Sequence, residues 1–499
     1  MSAAAALIVA GAFSGCGSTT YFAGRKLPPS GLTNRVLISV QNPNPLTRGS
    51  LLIVDAYYDI RSSYNDKVAQ FSIAGYTGGL PVSIQNMPEE QVGFVYGSAD
   101  GSFVPINYAA ESSGANIGGL SGFSSSVFAN RSQTFVFAAN QQQHLFTAIN
   151  ATSGGAFGFS LPGVYRVSVN PGGTLALAFV QNSNYVYYPR QLTAGETIAY
   201  SGGPSTWPAA AYDCEPQTAP LWCLFQVQDP TTGNPLSFNR PVKAVFSTDG
   251  GTAYILNCGP ECGGTTASNP STTPLAGASV TSLPVAPMIF PPGQASGTLP
   301  TQAAINANCA SAGNLTGCTI PVPGGSSNAL VSSSTLYVVG QQPVQLQNQT
   351  LFTGNLTVVN LSAGAVVPST TAAPNPASIS DGAAGAPSRM LLADDNTLWI
   401  GMTKCTNGVR AATGQPDGCL TMVNSTNNTV TLLEPYLGDA TGIAGVEGLH
   451  KIYTAEGGQV YIYSTVDGTS IDNQYVTVTG VASDVAYMDA TTDADNTVY

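Results

Sequence analysis

Apolar residues along this chain fall in short runs that alternate with polar ones, and each run stops at a cluster of Gly, Asp, Asn or Pro. Period-2 alternation buries one face of a strand, and a continuously apolar run buries both. One unit recurs. An apolar strand leads into a tight turn, then a second strand rich in Val, Tyr and Phe, a polar gap, a third strand and often a fourth. The clearest copies start at Tyr165, Val242, Arg389 and Ala444, and fainter ones near Pro81, Ser124 and Ala329. The first copy turns at Pro171-Gly172-Gly173, the second at Asp249-Gly250-Gly251 and the third at Asp395-Asn396. Such turns supply the φ > 0 positions of tight hairpins.

Where no insertion intervenes, the copies start roughly 40 residues apart, the spacing of propeller blades. A small sheet with two apolar faces must stack on copies of itself to hide both. The expected fold is therefore all-β, a single β-propeller of about eight four-stranded blades, or seven if one faint copy is insertion. Tandem β-sandwiches are the alternative. The two ends of the chain fit a closed ring. Val481 to Tyr499 reads as a first strand and the start of a second, while Arg35–Val40 and Ser50–Asp55 read as later strands lacking a first. Joined, they complete one shared blade and leave no open edge.

The stretches Ser247-Thr248-Asp249-Gly250-Gly251, Thr335–Val339 and Asn355–Asn360 resemble the blade pattern of the YVTN/lactonase-like β-propeller superfamily. The resemblance covers most of residues 35–499. It implies the fold and leaves activity open, because propellers host many functions. It also implies a second functional reading, a lactonase-like hydrolase working at the mouth of the channel.

The period is broken by Pro-, Gly-, Thr- and Ser-rich insertions at about 191–239, 257–275, 284–326 and 403–419. Long loops of this kind are commonly functional, and weakly constrained decoration is the competing account. The cysteines concentrate there. Setting Cys16 aside leaves an even number, in near-neighbour pairs: Cys214 with Cys223, Cys258 with Cys262, Cys309 with Cys318, and Cys405 with Cys419. Local disulfides are the simplest of the 105 connectivities. Zinc competes at Cys258-Gly-Pro-Glu-Cys262, but no histidine lies near any pair.

The apolar run Ala3–Phe13 followed by Ser14-Gly15-Cys16 resembles a bacterial lipoprotein signal. By that resemblance residues 1–15 are a signal peptide, Cys16 is lipidated, and 16–34 form a tether to the propeller at 35–499. Two features depart from the pattern: Phe13 stands where Leu is usual, and no Lys or Arg precedes the run. The expected location is extracytoplasmic, at a bacterial membrane, periplasmic or on the cell surface, which suits disulfides. Charged residues make up only 8% of the chain, and the net charge is −12. Without a basic stripe, nucleic acid is excluded as a partner.

The catalytic inventory is short. His144 is expected in a hairpin loop and His450 at the end of a first strand; two histidines build no metal set, and no Gly-x-Ser-x-Gly elbow occurs. No catalytic residue is assigned. First strands surround a propeller's channel, which groups Arg166, Lys243, Arg389, Glu447 and Asp484 at its mouth as ligand-binding candidates. Asp489, Asp493 and Asp495 are the candidate ligands for calcium, though they lack the Gly and terminal Glu of an EF-hand. Tyr57-Tyr58 and Tyr185, Tyr187 and Tyr188 suit sugar stacking, a protein interface or sheet packing alike. The leading functional reading is a lipid-anchored, non-catalytic binding or scaffold module of the cell envelope, with a protein or glycan ligand and no resident cofactor.

Overall fold

In the computed structural model the described residues are 27–492, apart from 45–46, 62–70, 121–123, 201–206, 209, 216–220, 267–268, 270–271, 292–293, 295, 314, 347–348, 384–385, 406–416, 434–436 and 472–475. They form eight antiparallel sheets in a ring, an eight-bladed β-propeller. Numbered along the chain, the inner strands are Pro81–Met87 (blade 1), Ser126–Ala129 (blade 2), Val164–Val169 (blade 3) and Pro241–Phe246 (blade 4). They continue with Asn328–Ser332 (blade 5), Ala386–Ala393 (blade 6), Ala440–Val446 (blade 7) and Val481–Tyr487 (blade 8). All seven repeat starts read from the sequence fall at or beside the inner strands of blades 1 to 7.

Blade 8 is assembled from both ends of the chain. Val481–Tyr487 pairs antiparallel with Arg35–Gln41, which pairs with Ser50–Asp55. Closure therefore comes from backbone hydrogen bonds between residues more than four hundred positions apart, as the strand pattern of the termini predicts.

Alternation explains how the ring is held. In Arg35–Gln41, Val36, Ile38 and Val40 pack with Ala444, Tyr453 and Ile462 of blade 7. Leu37, from the other face, packs with Ile84, Val95 and Val104 of blade 1. The same division recurs around the ring. The eight hydrophobic clusters among the described residues lie one at each interface between neighbouring blades. A buried aliphatic or aromatic side chain contributes about 1.5–3 kcal/mol over an exposed one, so no blade is stable without both neighbours. Trp399, wholly buried between blades 6 and 7, also donates its indole N–H to Thr397 Oγ1 at 3.0 Å.

Two of the predicted insertions carry structure of their own. Within 191–239, Trp222–Gln226 is the fourth strand of blade 3 and Ala211–Glu215 is a fifth, outermost strand. Cys214 and Cys223 face each other across that pair and are disulfide-bonded. Within 284–326, Met288 and Ile305 bury completely in the cluster between blades 3 and 4. Disulfides also join Cys258 to Cys262 and Cys309 to Cys318, which overturns zinc at the former. Cys419 is disulfide-bonded; the side chain of Cys405 lies outside the described residues. No helix among the described residues is long and apolar enough to cross a membrane.

A buried ionic clasp reinforces the closure. Arg35, with no exposed surface, donates through Nε and Nη2 to Asp489 at 3.0 and 2.6 Å. Its Nη1 donates to Glu111 Oε1 at 3.0 Å and to the Tyr108 carbonyl at 2.6 Å. The Arg35 backbone N–H also donates to Asp489, at 2.8 Å. Glu111 in turn accepts from the backbone N–H of Ser30 at 2.8 Å. One guanidinium thus ties the N-terminal strand, the C-terminal segment and blade 1. Burial works against the charge on Arg35, and the two carboxylates more than reverse it, so its pKa rises.

Candidate functional site

An inner strand has a bare edge, and its channel-facing N–H groups need partners. Here the neighbouring blade supplies them. The Ile84 N–H of blade 1 donates to Asp484 Oδ2 of blade 8 at 2.9 Å. The Ala129 N–H donates to Gln85 Oε1 at 2.7 Å, and Gln85 Nε2 donates back to the Ala129 carbonyl at 2.8 Å. The Val167 N–H donates to Ser126 Oγ at 3.1 Å, and the Ala244 N–H to Ser168 Oγ at 3.1 Å. Lys243 Nζ continues the series, donating to Asn328 Oδ1 of blade 5 at 2.7 Å.

Beside this ring the channel holds a cavity of about 560 Å³, lined by the inner strands of seven blades, all except blade 6. Each strand contributes its second half or the turn after it, so the cavity lies at the end where the inner strands finish. The apolar wall includes Met87, Phe128, Phe246, Leu330 and Tyr487; polar groups reach it from Gln85, Ser168, Lys243 and Asp484. Arg131 and Glu89 line it as an ion pair, with Arg131 also 3.2 Å from Glu90.

The charges inside are uneven. Lys243 is buried, and its pKa is held well below the ordinary lysine range by desolvation and by the positive charges of Arg166 and Arg389. Arg389 Nη2 lies 3.6 Å from Asp484 Oδ2. Burial pushes the Asp484 carboxyl up to about 6, against the pull of Arg389 and of the Ile84 and Val485 N–H donors. Arg166 is half-buried, its guanidinium 5.7 Å from the ring of Tyr165. Arg166 and Arg389 thus act on Lys243, and Arg389 also on Asp484, in a chain that has only 15 cations altogether.

Of the five channel residues expected from the sequence, Lys243 and Asp484 line the cavity, Arg389 stands 3.6 Å from Asp484, and Arg166 acts on Lys243 without lining the cavity. Glu447 does not join them: it is exposed in the turn after the inner strand of blade 7 and accepts from Thr491 Oγ1 at 2.9 Å. Asp489 belongs to the clasp, with both oxygens held by Arg35, and Asp493 and Asp495 lie outside the described residues, as does Cys16. Among the described residues no three His, Cys, Asp or Glu side chains come together as a metal set. His144 is exposed in its hairpin turn, as expected. His450 sits in a turn at φ 53° rather than at a strand end, because the strand before it stops at Val446; its Nδ1 is 2.8 Å from Asp395 Oδ2. Tyr187 and Tyr188 pack inside blade 3, whereas Tyr57 and Tyr58 are exposed and in edge contact.

Gln85, Ser168 and Asn328 were not singled out beforehand. Their signal is a polar residue breaking an apolar inner strand, as in Val167-Ser168-Val169. Away from the cavity, Glu261 in the Cys258–Cys262 turn accepts from the Gln341 N–H at 3.0 Å, and burial pushes it up to about 7.

No family model and no curated protein sequence matches the chain. Solved structures that it resembles include the periplasmic gluconolactonase of Pseudomonas aeruginosa, at 12% identity and a TM-score of 0.37, covering 91% of this chain and 98% of that one. The dihydro-heme d1 dehydrogenase NirN matches at 10% and 0.47, covering 93% and 79%. The hydrazine synthase of Kuenenia stuttgartiensis matches at 13% and 0.41, covering 78% and 96%. At such identities and TM-scores the likeness says nothing of activity.

Proposed function

We propose that the chain is an extracytoplasmic binding propeller whose channel cavity takes a small organic anion. The observation that carries this reading is the positive charge next to the cavity: Lys243 on its wall with Arg166 and Arg389 close enough to act on it, the wall's carboxylates being Asp484, beside Arg389, and Glu89, paired with Arg131. In low dielectric such a surplus attracts an anion far more strongly than it would in water, and the overall charge of −12 makes the site locally opposite in sign to the whole. The apolar wall suits a ligand with a hydrocarbon body behind its acidic head. Disulfides support an oxidising compartment, and the Cys16 motif supports attachment by lipid. Calorimetric titration with propionate, gluconate and inorganic phosphate tests the reading. Saturable binding of a carboxylate by the wild type, lost in Lys243→Met, is the expected result; heats indistinguishable from dilution for all three overturn it. Lipidation is checked by the mass of the mature N-terminal peptide.

A second reading, hydrolysis of a lactone at the same cavity, is favoured by one observation. Asp484 lines the cavity with a carboxyl poised near neutrality, as a general acid or base requires. Turnover of gluconolactone that disappears in Asp484→Asn would establish it.

A further inference from the structure

We propose that the Cys258–Cys262 disulfide is a redox latch: an external dithiol opens it at Cys262, and the turn it closes then releases Glu261 from blade 5. Three observations lead there. The bond joins cysteines four residues apart, against nine for Cys214–Cys223 and for Cys309–Cys318. The shortest loop constrains the unfolded chain least, so its effect is chiefly local. It is also the accessible bond. Cys214, Cys223, Cys258, Cys309, Cys318 and Cys419 are buried; Cys262 is the one disulfide cysteine among the described residues that is only partly so, and Gly263 beyond it is exposed.

The third observation is what the turn holds. Gly259–Cys262 is a short 3-10 turn after the second strand of blade 4. Its Glu261 Oε2 accepts from the Gln341 N–H, on the second strand of blade 5, at 3.0 Å. One donor does not offset the loss of water, and burial pushes this carboxyl up to about 7. Arg240, the cation beside the turn, donates to the Asn182 and Gly263 carbonyls instead. The base of the turn is fastened separately. The Cys258 N–H donates to the Arg240 carbonyl at 2.9 Å and the Gly259 N–H to the Asn239 carbonyl at 3.1 Å, while the Thr265 N–H donates to Asn239 Oδ1 at 3.0 Å. The turn thus has a fixed base and a tip, Pro260–Cys262, that the disulfide holds down with its carboxyl desolvated.

The step is thiol–disulfide exchange. A thiolate of the dithiol attacks Cys262 Sγ, and the S–S electron pair leaves with Cys258 Sγ, which takes up a proton. The second thiol attacks the mixed disulfide, and Cys262 leaves and is protonated in turn. The dithiol is oxidised to its cyclic disulfide, and its two protons end on Cys258 and Cys262. Cys258, wholly buried in the apolar cluster between blades 4 and 5, is at ease there as a neutral thiol. The covalent restraint on the tip is then gone, and the Glu261 carboxylate gains more from water than from one N–H. Oxidation closes the bond again, so the latch is reversible.

The full-length protein is treated with graded dithiothreitol in neutral buffer. One portion is quenched, alkylated under denaturing conditions and mapped by mass spectrometry; the other is followed by hydrogen exchange. The expected result is that Cys258 and Cys262 become alkylated at about tenfold less dithiothreitol than Cys214–Cys223 or Cys309–Cys318 requires. Over the same range the Gln341 amide should exchange about tenfold faster. Glu261→Gln keeps an acceptor for the Gln341 N–H without a desolvated charge; its disulfide should open as readily while the amide stays protected. If the Cys258–Cys262 pair opens no earlier than the other two, or opens first and leaves Gln341 exchange unchanged, the latch is overturned. Equal acceleration in Glu261→Gln overturns the carboxylate as the group that drives release.

Discussion

The molecule buries two clusters of charge, and they are built on opposite plans. In the clasp, one guanidinium meets two carboxylates and a carbonyl, and Asp489 is held through both oxygens and a backbone N–H. In the channel, two arginines act on a buried lysine and one of them on a buried carboxyl, and burial keeps the lysine and the carboxyl from their ordinary ionisation. Both have been taken out of water, which costs several kcal/mol for each unpaired ion. The clasp recovers that cost within the protein, so it works as a fastening. In the channel burial prevails, holding the lysine and the carboxyl toward their neutral forms.

The largest test of this contrast is Arg35→Met. It leaves Asp489 and Glu111 buried without their cation, and the chain should lose about 3–5 kcal/mol, measured by urea denaturation. A loss below about 1 kcal/mol would mean that the strand pairing alone closes the ring. Next comes pH. Burial raises the Asp484 carboxyl to about 6, above the ordinary carboxylate value, so the folded state holds that proton more tightly. Its contribution to stability is complete below pH 4 and is lost as pH rises through 6, by at most about 3 kcal/mol. Asp484→Asn should flatten this slope. Glu261 adds a slope of the same sign up to about pH 7, so the difference between wild type and variant is the quantity to measure.

Glu111→Gln should cost about 1–2 kcal/mol, because Asp489 still neutralises Arg35 while one charged hydrogen bond weakens. The smallest effect is expected at Lys243→Met. Removing an amine from the crowded side of an unbalanced cluster should move the urea midpoint by less than about 1 kcal/mol in either direction. A Lys243 variant as damaged as Arg35→Met would erase the distinction between the clusters.

The fold was legible because it is written in local, repeated terms. The Pro171-Gly172-Gly173 and Asp249-Gly250-Gly251 turns place Gly173 and Gly250 at φ 65° and 69°, and alternation on either side assigns each face to a different neighbour. The strand at Trp222–Gln226 was missed although Leu221 to Phe225 is almost entirely apolar, because the surrounding Pro, Cys and Thr gave the whole stretch the look of a loop. The channel was partly legible: an inner-strand position puts a side chain near the axis wherever the strand is found, so Arg166, Lys243, Arg389 and Asp484 could be grouped. Glu447 missed by one residue, falling just past the strand's end at Val446. The clasp was not legible, because nothing local joins Arg35 to Asp489. Their meeting follows from ring closure, and Asp489 read alone resembled a ligand for a hard cation.

Closure by the last blade also has a consequence for biogenesis. A ribosome makes Arg35–Gln41 more than four hundred residues before its partner, Val481–Tyr487. At typical elongation rates that wait is on the order of tens of seconds. Until then one edge of the newborn hairpin is uncovered, and the face that packs on blade 7 is bare until blade 7 is made. Truncations that remove Val481–Tyr487 should therefore be degraded more readily than loop deletions of equal length.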